Sequence, residues 1–480
     1  MTQIIGPCVR QDGRVLKTVR ACFEESGYTV DGVRELLGPV AGAALARDQV
    51  VPALRVLRED ASALSALTRL LWLQESVPED GLPSVELEGI GLARREGGRL
   101  VPLLHVEPLE WPGETRYAVS DLKARPGDAP PRPDHVVGVG GASYSLARLV
   151  VHRAVDSALD LGTGSGVQAL LLGDRARRIT ATDTNPRALD LARLSLGLSG
   201  TDAELRLGSL FAPVPERYDL IVSNPPFVIS PDGRHPYRES GLPGDDVCRR
   251  LVAEAPRHLT EGGWCHLLAN WLHVEGEPWD ERVADWITGC DGWVVQRDVQ
   301  DPAEYVELWL RDSVEAGTAA YRARYDAWLA YFERERVTGI GFGWITLREG
   351  GGSVRVEELR HAVDQPVGAY VERVLDGIAA ADRPFGVLRT AEGVVQEQIG
   401  RPGAEDPERI VLRQTSGLRR ASGVGTTEAA LAGVCDGSVP LDPLLGAIAQ
   451  LTGADEDAVR AHADAVLPEL VADGFFEVAG

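Results

Sequence analysis

Residues 155–172 read VDSALDLGTGSGVQALLL, and this stretch decides the fold. An apolar run ends on an acid, Asp160, and breaks into glycines at 162, 164 and 166 before a second apolar run begins. Glycines at alternate positions let the backbone turn sharply and approach a ligand that a side chain would exclude. The pattern is therefore a strand, a tight ligand-facing turn and a helix.

Working outward, the same alternation repeats. Apolar strands are expected at RITATD (178–183), AELRLGS (203–209), YDLIVSN (218–224), WCHLLAN (264–270), GWVVQRDV (292–299) and YVELWLRD (305–312), with helical segments between most of them. Strands alternating with helices predict an α/β fold, a Rossmann-like, doubly wound, largely parallel sheet of seven strands. Only QDPAE (300–304) separates the last two strands. That is too short for a parallel crossover, so the last strand is expected to be antiparallel.

The flanks differ from this core. Residues 15–75 carry apolar positions three or four apart and are followed by short strand-like runs, a helical and winged-helix-like order. ARPGDAPPRPD (124–134) is a boundary by composition. The C-terminal segment reads as three helices and a strand, again winged-helix-like, but its last helix carries Asp455, Glu456, Asp457, Asp464 and Glu469 against Arg460. Such a helix repels phosphates and suits packing or protein contact. Three domains are expected: 1–124, a catalytic domain at 125–385 and 386–480.

Composition narrows the classes. The 480 residues hold 72 acidic against 49 basic side chains, a formal charge of −23, which disfavours a non-specific nucleic-acid coat or an anionic-membrane binder. The six cysteines are scattered, without Cys-x-x-Cys or paired histidines, so no metal site is expected. No signal-peptide core and no long uncharged apolar run are present in the sequence, which predicts a cytoplasmic protein without a membrane partner.

Two further strand ends carry chemistry. Asp183 closes its strand, where a carboxylate can accept hydrogen bonds from both hydroxyls of a ribose. Asn185 and Pro186 supply a cap and first-turn proline for the following helix, leaving Asp183 free to face a ligand. The fourth strand ends in Asn224-Pro225-Pro226-Phe227. With these motifs in this order, residues 135–313 resemble the class I S-adenosylmethionine-dependent methyltransferases of the Asn/Asp-Pro-Pro-aromatic group. That group includes adenine exocyclic-amine, small-domain ribosomal RNA guanine and release-factor glutamine methyltransferases.

The resemblance implies S-adenosyl-L-methionine as cofactor. Asp160, Gly162, Thr163, Gly164 and Gly166 would surround its methionine part, Asp183, Thr184 and Asn185 its ribose, and Ser209 and Leu210 its adenine. Many relatives have an aspartate where Ser209 stands, and a hydroxyl is a weaker acceptor than a carboxylate. Asn224 would border both cofactor and target. A planar nitrogen is a poor nucleophile because its lone pair is delocalised. The Asn224 side-chain oxygen and the Pro225 carbonyl would accept its N–H groups, Pro226 would stiffen the corner, and Phe227 would stack on the target plane.

Ser143 and Tyr144, upstream, are candidates for a segment covering the cofactor. SPDGRHPYRESGLPGDD (230–246), with Tyr237, Arg238 and Glu239 at its centre, is a candidate recognition loop in which His235 is a solvated residue. The arginine groups at 175–178, 249–250 and 419–420 read as paired or solvated faces.

The expected activity is N-methylation of a macromolecule, first the exocyclic amine of a base in RNA or DNA. The alternative substrate is a glutamine of a ribosomal or release-factor protein. A non-catalytic scaffold is the reading from another class. A nicotinamide dehydrogenase fits neither the Gly-x-Gly-x-Gly spacing nor the Asn-Pro-Pro-Phe strand end.

Overall fold

The computed structural model describes residues 13–111, 114–125, 131–231, 239, 241–310, 318–381, 383–402 and 407–479. Two compact units are present, one of residues 1–143, 154–247 and 305–331, the other of residues 144–153, 248–304 and 332–480.

The first unit contains four parallel strands, β1 (Val155–Leu161), β2 (Ala176–Asp183), β3 (Glu204–Leu207) and β4 (Tyr218–Ser223), in the order β4-β1-β2-β3. Helix α1 (Val167–Leu172) follows β1 and helix α2 (Pro186–Ser199) follows β2. The chain steps from β1 outward to β3 and returns to the other side of β1 for β4. Parallel α/β sheets bind ligands at such a reversal, outside the carboxyl ends of the strands.

Helix α2 begins as its sequence dictates. The Asn185 side chain accepts the Arg187 N–H at 3.0 Å and Pro186 occupies the first turn. Ala188, Leu191, Leu194 and Leu198 of α2 share one buried cluster with Leu16, Val19 and Phe23 of the N-terminal helix Gly13–Glu25. The strand Arg116–Ser120 pairs with His105–Leu109, and among the described residues no second strand pairs with it. Two of its backbone donors are satisfied instead by serine hydroxyls, Tyr117 N–H by Ser199 at 2.9 Å and Val119 N–H by Ser195 at 2.8 Å.

The second unit contains β5 (Leu259–Val274), β6 (Asp291–Gln300), β7 (Val337–Arg348) and β8 (Val354–Glu358), in the order β5-β7-β6-β8. Strand β7 is antiparallel to both β5 and β6, and β8 is parallel to β6. The two units thus hold eight core strands rather than seven, and the antiparallel member is β7.

YVELWLRD is not a strand. Residues 305–310 belong to helix α3 (Pro302–Leu310), and 311–312 lie outside the described residues. Asp301 accepts the N–H groups of Ala303 and Glu304 at 2.8 and 2.9 Å, and Glu304 accepts the Asp301 N–H at 3.3 Å. This reciprocal cap, with Pro302 in the first turn, outweighs the β preference of the Tyr-Val-Glu-Leu-Trp run.

In the C-terminal part, Val387–Thr390 pairs with Asp436–Pro440 and Phe476–Val478 beside helices Thr426–Val434, Leu441–Thr452 and Glu456–Ala472. Arg420, almost fully buried, grips Glu357 of β8 through both carboxylate oxygens at 2.6 and 2.7 Å and Asp473 at 2.7 Å. Buried guanidinium charges persist only when paired in this way. Among the described residues, no helix is long and apolar enough to cross a membrane.

Candidate active site

The register of the parallel strands gathers the three motifs at one edge. Leu161 lies opposite both Thr182 and Ser223, and Asp183 opposite Leu207, so the residues after each strand emerge side by side. Ser223 donates its hydroxyl to the Leu161 carbonyl at 2.9 Å, locking the β4 corner to the start of the glycine turn.

The turn itself is left-handed at Gly162, Gly164 and Gly166, with φ of +72°, +55° and +86°. The N–H groups of Gly162 and Thr163 both donate to the Thr182 carbonyl at 2.9 Å. A Cβ on Gly162 or Gly164 would meet nothing within 4 Å, whereas one on Gly166 would come within 3.2 Å of Ala192 in α2. The first two glycines leave open space at the strand ends, and the third permits close packing of turn on helix. Gly166→Ala is expected to cost about 2–3 kcal/mol, lowering Tm by roughly 5–10 °C, from left-handed strain plus collision. Gly162→Ala should lower Tm by about half as much, from strain alone. Equal shifts in a thermal melt would refute the packing role of Gly166.

Asp160 is buried beneath this turn. Its Oδ2 accepts the Thr163 hydroxyl at 2.6 Å and the Ala169 N–H at 3.0 Å, while its Oδ1 is buried with no protein partner. Burial pushes its carboxyl up to about 7, helped by the neighbouring Asp183 charge. Asp183 accepts the Gly164 N–H at 2.9 Å and the Asn185 N–H at 2.8 Å. Burial raises its pKa as well, against these backbone bonds. Asp183 is therefore not free of structural duty, because it ties the glycine turn to the end of β2. A carboxylate has about four lone-pair sites, so Asp183 keeps acceptor capacity beyond its backbone partners.

The remaining positions border this edge. Thr184 is exposed, and Asn185 also donates its amide to the Asp134 carbonyl at 3.0 Å. Gly208 N–H bonds the Asp183 carbonyl at 3.0 Å, bringing Ser209, exposed, and Leu210, half-buried at φ +48°, beside the Asp183 strand end. Asn224 is half-buried, and its side chain has no partner among the described residues; Pro225 is buried, and Pro226 and Phe227 are half-buried. The Ser143 carbonyl receives the Gln168 side chain at 2.8 Å, and Tyr144 lies under the Arg148 guanidinium at 5.9 Å. His235, Tyr237 and Arg238 lie outside the described residues.

Residues 139–275 match the family profile described as methyltransferase small domain, and residues 25–103 that of a domain of unknown function. Over 255 residues the chain is 37% identical to the release factor glutamine methyltransferase of Deinococcus radiodurans, spanning 48% of this chain and 86% of that protein. The chain belongs to the S-adenosylmethionine-dependent methyltransferases. It is also 39% identical over 181 residues to the ribosomal protein uL3 glutamine methyltransferase of Bradyrhizobium diazoefficiens, covering 33% of this chain and 57% of that one. Over 112 residues it is 34% identical to the ribosomal RNA small subunit methyltransferase C of Alcanivorax borkumensis, 23% of this chain and 31% of that one.

The methyltransferase's own side chains suit its cofactor, S-adenosyl-L-methionine. The unpaired, buried Oδ1 of Asp160 and the desolvated Asp183 carboxylate both gain from a ligand carrying positive charge and hydroxyls. Sequence reasoning missed how the approach to the turn is held. Asp121 pairs with Arg187 through both oxygens and accepts the Val136 N–H at 2.8 Å, pinning the linker over the start of α2. No local motif announces a contact 66 residues apart.

A cavity of about 540 Å³ lies within the second unit, lined by Arg153, Trp264, Asp291, Arg348 and Asp376 among others. Within its walls Arg348 pairs with Asp291 and Asp376, and Arg153 pairs with Glu372. It contains none of the motif residues.

Proposed function

We propose that this N-methyltransferase modifies a planar nitrogen of a macromolecule, first a glutamine side-chain amide in a protein of the translation machinery. The observation carrying the reading is Asn224, a half-buried amide without a protein partner among the described residues, beside the Asp160–Gly166 turn. Its oxygen and the Pro225 carbonyl are the two acceptors that draw an amide nitrogen toward tetrahedral geometry. Phe227 covers the target plane. S-adenosylmethionine supplies a methyl group already activated on a sulfonium, so the protein contributes mainly alignment. Asp160 would offer its carboxyl to the cofactor's ammonium, Gly162, Thr163, Gly164 and Gly166 would leave room for its methionine part, and Asp183, Thr184 and Asn185 would border the ribose. Ser209 and Leu210 flank the adenine.

Charge favours protein over nucleic acid. Among the described residues, Arg132, Arg187, Arg193 and Arg206 are each paired with a carboxylate, Asp134, Asp121, Asp190 and Glu204. Guanidinium groups so engaged are poorly placed to track a phosphate backbone. The second reading, an exocyclic amine of a base, is favoured by the likeness to a ribosomal RNA methyltransferase. We further propose 1–124 and 386–480 as modules flanking a catalytic domain at 125–385, docking the acceptor, and a cytoplasmic location, where translation components reside.

The test offers purified protein and labelled S-adenosylmethionine to release factor, ribosomal protein and ribosomal RNA, followed by digestion. Label on methylglutamine is expected. Label on a base moves the conclusion to the second reading, and label on neither overturns both.

The raised pKa of Asp160 predicts a pH dependence. Against its ordinary value of 3.8 the buried carboxyl holds its proton to about 7, so its contribution to stability is complete below about pH 4 and lost as pH rises through 7. A bound ammonium favours the ionised form. Cofactor affinity should therefore rise from pH 5 to about 7 and then level off, with proton release in that window. Calorimetry in two buffers of different ionisation heat measures that release, and its absence would remove Asp160 from ammonium binding.

A further inference from the structure

Beyond Phe227 the chain is held at several points that the motif does not announce. The Ile229 N–H donates to the Tyr305 hydroxyl at 2.9 Å, and Tyr305 is fully buried between the rings of Trp309 and Trp328, with centroids at 6.1 and 6.3 Å. Phe227 and Val228 are bridged to Glu239, a buried carboxylate that accepts the Ser230 hydroxyl at 2.9 Å. At the far margin of the same loop, the Gly244 N–H donates to the Tyr331 hydroxyl at 3.0 Å. Tyr305 belongs to α3 and Tyr331 to the helix Ala319–Arg334, α4, so residues distant in sequence clasp both ends of the segment following the Asn-Pro-Pro-Phe corner.

We infer that Tyr305, seconded by the Ser230–Glu239 pair, is a positioning residue for methyl transfer, fixing the Asn224–Phe227 corner from behind. The inference rests on the role proposed above for Asn224 and Phe227. Prolines at 225 and 226 stiffen the corner but donate no hydrogen bonds, so the backbone cannot be anchored through N–H groups at those two positions. The first donors available beyond them belong to Phe227, Val228 and Ile229, and the last is taken by a hydroxyl that the surrounding tryptophans hold still. Displacing acceptor atoms by a fraction of an ångström is costly when the reaction depends on alignment. Tyr305 holds the chain at Ile229, two residues beyond Phe227. Its effect should appear in the rate of transfer rather than in cofactor binding.

The test compares full-length wild type, Tyr305→Phe and Asn224→Ala on whichever of release factor or ribosomal RNA the wild type methylates. Tyr305→Phe keeps the packed ring and removes the hydroxyl that accepts the Ile229 N–H. Its kcat should fall about 10-fold, with KM for the acceptor and cofactor affinity moving less than about 2-fold. Hydrogen exchange in residues 218–231 should accelerate at least roughly 10-fold while residues 155–183 keep their rate. Ser230→Ala, which removes the hydroxyl donated to Glu239, should show the same split with a smaller loss, and it carries the test if Tyr305→Phe does not fold. Wild-type kcat in the Tyr variant, beside an inactive Asn224→Ala, overturns the positioning role and leaves the function standing. Wild-type turnover in Asn224→Ala overturns both. A rise in KM at unchanged kcat would assign Tyr305 to acceptor docking instead and overturn the inference.

Discussion

Asn224→Ala is expected to slow methyl transfer about 10²–10³-fold, the loss typical of removing one preorganised transition-state contact. The physical reason is the electronic state of the target. An amide or exocyclic amine shares its lone pair with the adjoining π system. The nitrogen attacks well only when its N–H groups are drawn out of that plane. Asn224 stands at the end of β4 with its side chain unclaimed by protein among the described residues, so its oxygen is available for that task. Cofactor affinity should change only a few-fold, because the roles proposed for Asp160, Asp183 and the glycine turn leave most of that binding in place. Asn224→Asp keeps an acceptor and should lose less. Single-turnover rates beside calorimetric affinities separate the two effects. An alanine variant within about 3-fold of wild type would falsify the role given to Asn224.

Asp183→Ala should weaken S-adenosylmethionine binding by about 10²-fold or more, since hydrogen bonds to a charged group are worth ~1.5–3 kcal/mol each and the role proposed for Asp183 gives it two ribose hydroxyls. A second loss adds to the first. The same carboxylate holds the Gly164 and Asn185 N–H groups, so its removal also loosens the glycine turn. Asp183→Asn retains one oxygen for those donors and should fall between. Turnover at saturating cofactor should drop far less than affinity, because the Asn224 corner is anchored through Ser223 and Ile229 rather than through β2. Unchanged affinity in the alanine variant would show that Asp183 serves the turn alone.

The local sequence determined a great deal. Strand, glycine turn and helix around Asp160, the Asp183 strand end and the Asn-Pro-Pro-Phe corner were legible because each depends on residues within one turn of the chain. Glycines adopt left-handed φ, Asn185 and Pro186 start a helix, and prolines stiffen a strand end, wherever the rest of the protein lies. The same locality explains the miss at residues 305–310. Their apolar spacing fits strand or helix, and the deciding cap sits upstream, in Asp301 and Glu304.

What only the tertiary structure decided are the contacts between residues far apart in the chain. Asp183 looked free because its helix was already capped, yet it accepts the Gly164 N–H across 19 residues. The hydroxyl of Tyr305 reaches Ile229 across 76 residues, and Glu239, in a polar loop, turns inward to Ser230. Hydrogen-bond donors and acceptors are paired by position in space, whereas a sequence records only the order of groups. The chemistry of this methyltransferase could be read from that order, while the contacts that fasten its Asn-Pro-Pro-Phe corner came from the fold.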